Sequence, residues 1–248
     1  MKTHGVNFVS SMTWDEIAER LAAGAAAIVP IGAGAKQHGF HLPMNTDQIQ
    51  AEWFAAKSAA EFDAIVWPAM TYGFYPAFAA YAGSASLAKA TFESLLRDIV
   101  QGIAQYQPRA IFVLNTGIST VPSVDRALVT LGPGCKAHHL KIYSGEHYRD
   151  AHAKLCRQPH GSHADEAETS IMLAIAPGVV DMSRAQASPN LERPPEPGPL
   201  TPFDEQSPNY SPSGSFGDPA LATAEKGHQL TAAIMADLRA AILEALTS

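Results

Sequence analysis

The sequence predicts an α/β fold in which a mainly parallel sheet lies between layers of helices, forming a single three-layer domain. Three short apolar runs, at 25–34, 64–67 and 110–114, are typical of strands that are buried on both faces. Amphipathic stretches separate these runs, and strands that alternate with helices favour parallel pairing with right-handed crossovers. A chain of 248 residues with 46% hydrophobic residues can bury one large core. We therefore expect one domain over 1–248.

The first elements are predicted in order from their capping and turn residues. A helix is predicted over 13–24, because Thr13 is a good N-cap and Glu16 completes a capping box. The apolar run 25–34 follows and is closed by glycines. Ligands in open α/β sheets bind beyond the carboxyl ends of the strands, so we expect the chemistry after this run. The run 64–67 ends at a proline and predicts the second strand.

Helical spacing continues in the middle of the chain. The stretch 87–106 is amphipathic, and we predict that Leu95, Ile99 and Ile103 form its buried face. The apolar run 110–114 then predicts the third strand.

The last third of the chain alternates between apolar and proline-rich segments. Residues 168–176 predict a helix with an acidic start. From 188 to 217 the chain becomes rich in Pro, Gly and Ser, and we predict that 189–212 is a surface excursion that covers a cleft or reaches a neighbouring subunit. Apolar residues at helical spacing over 220–246 predict a closing helix.

Composition excludes several classes of function. The formal net charge of −7 offers no basic surface for nucleic acid or for anionic lipid. No run of 18 apolar residues is present, so we expect no membrane partner. Cys135 and Cys156 form no C-x-x-C pair, which favours a reducing compartment. We therefore expect a cytoplasmic protein.

The densest group of polar residues follows the first predicted strand, at 36–47. His38, His41 and Asp47 lie within ten residues of one another on a glycine-containing loop. Imidazole and carboxylate groups at this spacing are typical ligands of a divalent metal. The alternative is that these histidines only form hydrogen bonds within the loop.

The same segment resembles the signature of the creatininase (creatinine amidohydrolase) family, Glu-Gln-His-Gly-x-His-Leu-Pro-x-x-Thr-Asp, and departs from it at its first position, Lys36. Further similarity lies in the first helix, at Gly83-Ser84, in 163–174 and in 216–227. The resemblance spans nearly the whole chain. It implies a creatininase-like domain, a small-molecule amide substrate and a homo-oligomer, by resemblance a hexamer.

The resemblance also implies roles for single residues. Family members hydrolyse linear or cyclic amides at a pair of divalent metals, with ligands that correspond to His38 and Asp47 here. His163 matches the catalytic histidine of the family, and Glu168 matches a glutamate of its second-half motif. The remaining family ligands do not match, because they fall on three residues of other types: Lys36, Gly117 and Ser119.

These departures disfavour an ordinary two-metal centre. A protonated lysine has no lone pair, and glycine has no side-chain donor. Two readings of the metal site stay open: one divalent ion, Zn or Mn, held by His38 and Asp47 with Glu168 as a third candidate, or no metal at all. Lys36 is interpreted as a counter-ion that neutralises Asp47 without a metal, or as a catalytic amine with a lowered pKa.

We hypothesise an enzyme that acts on the C–N bond of a linear or cyclic amide. Its expected catalytic residues are His163, Lys36 and Glu168, and the expected substrate cleft contains His41, Ser84, Asn115 and Ser119. Two alternatives are a non-hydrolytic family member that serves as a binding or scaffold subunit, and a metal-free isomerase or dehydratase. The histidine-rich stretch 138–163 is a further source of substitute ligands.

Overall fold

The computed structural model describes residues 7–132, 134–194 and 196–247. Within them, the core is one sheet in which every strand pairs in parallel, in the order β2-β1-β3-β4. Its strands are β1 (Ala26–Ile31), β2 (Ala64–Val66), β3 (Ile111–Asn115) and β4 (Ala137–Lys141). The α/β class and the parallel sheet that the sequence predicts are confirmed.

Helices cover both faces of the sheet, which makes the three layers. The α-helices of the described residues are α1 (Trp14–Ala22), α2 (Thr46–Glu61), α3 (Lys89–Ala104), α4 (Val121–Val129), α5 (Glu146–Leu155), α6 (Glu166–Ile175) and α7 (Ala224–Thr247). Helices α2, α5, α6 and α7 share one apolar core with the sheet, and α3 and α4 form the core of the opposite face. Helix α1 packs beside β2 through Leu21. None of the described helices is both long enough and apolar enough to cross a bilayer.

Two predicted helices show what local patterns decide. The capping box of Thr13 and Glu16 is formed at the start of α1, as predicted. In α3 the face named from the sequence is only partly the buried one: Ile103 is buried and Ile99 half-buried, but Leu95 is 41% exposed. Phe92, Leu96 and Val100 are fully buried. Two neighbouring stripes of this helix are apolar, and the stripe that contains the larger Phe92 is the one that packs against the sheet.

Several elements have no clear signal in the sequence. Strand β4 contains two histidines and a lysine, and of its residues Leu140 alone is buried. It lies at the edge of the sheet, where a strand needs no continuous apolar run. Helix α2 begins at Thr46, inside the group of polar residues at 36–47. Its first turn therefore has the composition of a loop. Helices α4 and α5 were also not predicted.

The proline-rich segment closes back on its own starting point. The backbone N–H of Ser188 donates to the carbonyl of Gly217 at 2.9 Å, which brings the two ends of the segment together. Between them Leu200 is buried against an aromatic group that includes Tyr75 and Phe78. The segment therefore lies at the edge of the sheet where β1 and β3 end, and its functional role stays a prediction.

Candidate functional site

A cavity of about 200 Å³ lies at the carboxyl ends of the strands. It is the place where the signature loop, the loop after β3, the start of α6 and the proline-rich segment meet. The lining residues are Lys36, Asp47, Ala77, Phe78, Thr116, Ile118, Ser119, Tyr143, Ser162, His163, Glu168, Glu196, Gly198, Leu200, Asn209 and Phe216. Five residues that the sequence singled out therefore share one cavity: Lys36, Asp47, Ser119, His163 and Glu168.

Lys36 and Asp47 form a buried ion pair. Lys36 Nζ lies 2.7 Å from Asp47 Oδ2, within the salt-bridge distance that the sequence predicts, and the two residues are 5% and 3% exposed. Burial alone would raise the pKa of Asp47, but the charges of Lys36 and His38 hold that pKa below its ordinary value. The ammonium also lies 4.8 Å from the centre of the Phe78 ring. Asp47 is thus ionised and neutralised by a lysine.

The hydrogen bonds of His38 determine which of its nitrogens has a free lone pair. His38 Nδ1 lies 2.8 Å from the carbonyl oxygen of Lys36, which can only accept, so Nδ1 carries the hydrogen. His38 Nε2 lies 3.1 Å from Asp47 Oδ1 and 3.9 Å from Glu168 Oε1. A lone pair cannot face two carboxylates favourably without a cation between them. His38 Nε2 therefore requires either a proton or a metal ion.

His163 has the opposite arrangement. Its Nε2 donates to the carbonyl oxygen of Gln37 at 2.8 Å, so its Nδ1 has the free lone pair in the neutral ring. This Nδ1 lies 3.8 Å from Glu168 Oε2. Burial, followed by the charges of Lys36 and His38, holds the pKa of His163 well below its ordinary value. His163 is neutral at neutral pH, and its Nδ1 can accept a proton or bind an ion.

Glu168 is oriented by hydrogen bonds that involve Gln50 and Tyr143, two residues that the sequence did not single out. Its Oε2 accepts from the backbone N–H of Ala164 at 2.7 Å, and its Oε1 accepts from Gln50 Nε2 at 3.3 Å. The hydroxyl of Tyr143 in turn donates to Gln50 Oε1, which fixes the orientation of this amide. Gln50 lies three residues after Asp47, on the same face of α2. That spacing was a usable signal, had α2 been predicted.

The loop after β3 is built without a side chain at position 117. Thr120 Oγ1 donates to Asn115 Oδ1 at 2.8 Å, and Asn115 Nδ2 donates to the carbonyl oxygen of Gly117. A Cβ atom on Gly117 would lie 2.7 Å from Thr120 Oγ1. The space of a histidine ligand is therefore taken up by Thr120.

One group of the described residues could hold a divalent ion. His38, His163 and Glu168 each offer a donor atom, and these atoms lie within 4.8 Å of one another. Two imidazole nitrogens and a carboxylate oxygen are ordinary ligands of Zn or Mn. Asp47 contacts both His38 Nε2 and the ammonium of Lys36. A charged ammonium and a glycine offer no side-chain ligand atom for an ion.

Other predicted residues lie outside this cavity. His41 Nε2 is 2.8 Å from Thr169 Oγ1, and Ser84 Oγ accepts from the backbone N–H of Gln37 at 3.1 Å. Neither His41 nor Ser84 is among the residues that line the cavity. Asn115 lines the small space behind Lys36 instead.

Three of the histidines before His163 have other partners. His138 packs on the ring of Phe112, and His139 Nδ1 is 2.7 Å from Asp125 Oδ1. His147 is likewise bonded to an aspartate of α7. The structure therefore brings none of these three to the cavity, and His163 is the member of the stretch that reaches it.

Comparison with known proteins agrees with the geometry. A family model described as creatininase, creatinine amidohydrolase, matches residues 10–242. Creatinine amidohydrolase of Pseudomonas putida is 27% identical, with 96% of each chain covered. The mycofactocin precursor peptide peptidase of Mycolicibacterium smegmatis (strain ATCC 700084 / mc(2)155) is 29% identical, over 83% of this chain and 79% of the relative. A solved structure named "Creatininase Mn" superposes with a TM-score of 0.81 at 25% identity, covering 98% of this chain and 100% of that one.

Proposed function

This chain belongs to the creatininase family, and from that premise we propose that it hydrolyses the C–N bond of a linear or cyclic amide. The relatives named above are an amidohydrolase and a peptidase, which supports an enzyme of the hydrolase class. One observation carries the proposal for this chain. The charged Lys36, the free Nδ1 of His163 and the carboxylate of Glu168 line a single cavity.

In the proposed reaction His163 is the proton carrier. A water oxygen attacks the carbonyl carbon of the amide, and His163 Nδ1 takes the proton that the water loses. The imidazolium formed in this way lies 3.8 Å from the carboxylate of Glu168, which stabilises its positive charge. As the C–N bond breaks, the same proton passes to the leaving nitrogen. The products are a carboxylic acid and an amine, so protons and electrons balance.

Lys36 is assigned to the substrate carbonyl oxygen, which becomes negatively charged when the water adds. One hydrogen of its ammonium points to Asp47, and the group also lines the cavity. Because the ammonium is already held in place by Asp47, Lys36 can donate a hydrogen bond to the oxyanion without reorganising. This role places a fixed positive charge where the family resemblance implies a metal ligand.

A single divalent ion is consistent with this arrangement. Of the three residues that could hold it together, His38 and Glu168 are assigned as its ligands, with Asp47 Oδ1, which lies 3.1 Å from His38 Nε2, in place of His163. When bound, the ion would supply a Lewis acid and an acidic water. The same His163 nitrogen cannot bind the ion and carry the proton, and we assign it the proton. A metal-free form, in which a proton on His38 replaces the ion, is the second candidate, because Lys36 already balances the charge of Asp47.

The experiment measures amide hydrolysis and metal content together. We expect turnover of creatinine or of short peptide amides, and one zinc per chain by elemental analysis. His163→Ala should lower kcat by about 10²–10⁴-fold while the zinc content stays at one. His38→Ala should lose the zinc. Loss of zinc in His163→Ala would instead make His163 a ligand, and a stable protein that hydrolyses no amide would favour the scaffold or isomerase alternatives.

We also propose that the chain is a cytoplasmic homo-oligomer, a hexamer by resemblance. Trp14 and Tyr106 line one surface pocket and are 82% and 62% exposed, and such apolar surface is typical of subunit contacts. Light scattering measures the oligomeric state, and a monomer at micromolar concentration would contradict this proposal.

A further inference from the structure

A second cavity of about 320 Å³ lies beside the first, where β3 and β4 end and α4 begins. Most of its wall is apolar, and we call it the apolar arm, defined by Ile118, Val121, Pro122, Ile142 and Tyr143. Its one charged lining residue is already paired, because Lys141 Nζ donates to Asp125 at 3.0 Å. The arm thus presents apolar surface without an uncompensated charge.

The apolar arm adjoins the catalytic cavity. Ile118 and Tyr143 line both spaces. The hydroxyl of Tyr143 is bonded to Gln50, which also contacts Glu168, so this shared wall is fixed relative to the catalytic carboxylate. Ile118 is 55% exposed, and its side chain can therefore lose water-accessible apolar surface when a group enters from the catalytic side.

We propose that the apolar arm is a substrate subsite that binds an aliphatic or aromatic group attached to the scissile amide. The inference rests on the proposed amide hydrolysis, because that reaction places the carbonyl group between Lys36 and His163. A substituent on one side of the amide then extends past Ile118 and Tyr143 into the arm. The arm offers about 320 Å³ of mostly apolar space, which favours amides that carry a side chain of leucine or phenylalanine size over small compact ones.

The test uses a series of neutral amides that differ in one side chain. The compounds are the N-acetyl amides of glycine, alanine, valine, leucine and phenylalanine, and the protein is the full chain supplied with zinc. Each compound has two amide bonds, so the release of ammonia and of acetate together gives kcat/KM, and titration calorimetry gives Kd. Burying one methylene favours binding by about fourfold, so we expect kcat/KM and affinity to rise by about that factor per carbon up to leucine.

Three variants separate the subsite from general effects. Val121→Phe fills the arm, and we expect the leucine-to-glycine ratio of kcat/KM and of affinity to fall by about tenfold or more. Ile118→Ser changes an exposed loop residue and should lower the same ratio by several fold, even if Val121→Phe does not fold. Val129→Phe is the matched control, because Val129 lies at the other end of α4 and is 85% exposed. Its ratio should equal that of the wild type.

The two readouts distinguish the subsite from the reaction. If no compound is hydrolysed but affinity still rises with side-chain size and falls in Ile118→Ser, the proposed function fails and the subsite stands. If all five compounds are hydrolysed with equal kcat/KM, and both arm variants behave like Val129→Phe, the subsite is refuted and the function stands.

Discussion

Replacing Lys36 with Met tests whether this lysine stands in for a metal ion. The substitution keeps most of the side-chain volume and removes the charge that lies 2.7 Å from Asp47. Asp47 is 3% exposed, so its carboxylate would stay buried without the lysine charge. Its contact with His38 Nε2 would remain. Breaking a buried ion pair in this way costs about 3–5 kcal/mol of unfolding free energy. For a domain of this size the cost corresponds to a fall in Tm of roughly 6–20 °C.

The loss should depend on pH. In the wild type the pKa of Asp47 is held below its ordinary value, so the stability from the pair is present above about pH 4 and lost as pH falls below it. Without Lys36, burial raises the pKa of this carboxyl. In the variant, Asp47 then takes up a proton on acidification, which removes the cost of a buried, unpaired carboxylate. The difference between wild type and variant should therefore shrink between pH 7 and pH 4.

Urea unfolding in EDTA, at pH 7 and at pH 4.5, measures both effects without a contribution from bound metal. Lys141→Met is the matched control, because Lys141 pairs with Asp125 at 3.0 Å but both side chains are at least 33% exposed. We expect the control to cost about 1 kcal/mol or less. Equal losses in the two variants at pH 7, or a Lys36→Met loss that is the same at both pH values, would refute the counter-ion role.

Three further predictions follow from the site. The double variant Lys36→Glu, Gly117→His should bind two zinc ions per chain only when Thr120→Ala is added, because a side chain at 117 would collide with the Thr120 hydroxyl. Elemental analysis measures the zinc content, and two ions in the double variant without Thr120→Ala would contradict this explanation. Gln50→Leu should weaken zinc binding by about 10–100-fold in calorimetry, through loss of the hydrogen bond that orients Glu168, and an unchanged Kd would remove Gln50 from that role. Excision of 189–212 should weaken amide binding, because residues of this segment line the cavity; unchanged binding, Tm and oligomeric state would make it a passive linker.

Local patterns in the sequence were sufficient for much of the fold. Every residue of β1, β2 and β3 is buried. A continuous apolar run was therefore enough to predict each of these strands. Strand β4 was not predicted, and the buried face of α3 was predicted only in part. Their burial is set by position at the edge of the sheet and by packing against α4, which are not properties of a local window.

The sequence by itself determined which residues are chemically unusual: a lysine and a glycine at positions where the family resemblance implies metal ligands, beside His38, Asp47, His163 and Glu168. The tertiary structure alone decided how they act. It joined His163 to the carbonyl of Gln37, 126 positions away, and His38 to the carbonyl of Lys36. A carbonyl only accepts hydrogen bonds, so these contacts determine which nitrogen of each ring has a free lone pair. That property depends on where the folded chain places a backbone oxygen, and residue types alone cannot specify it.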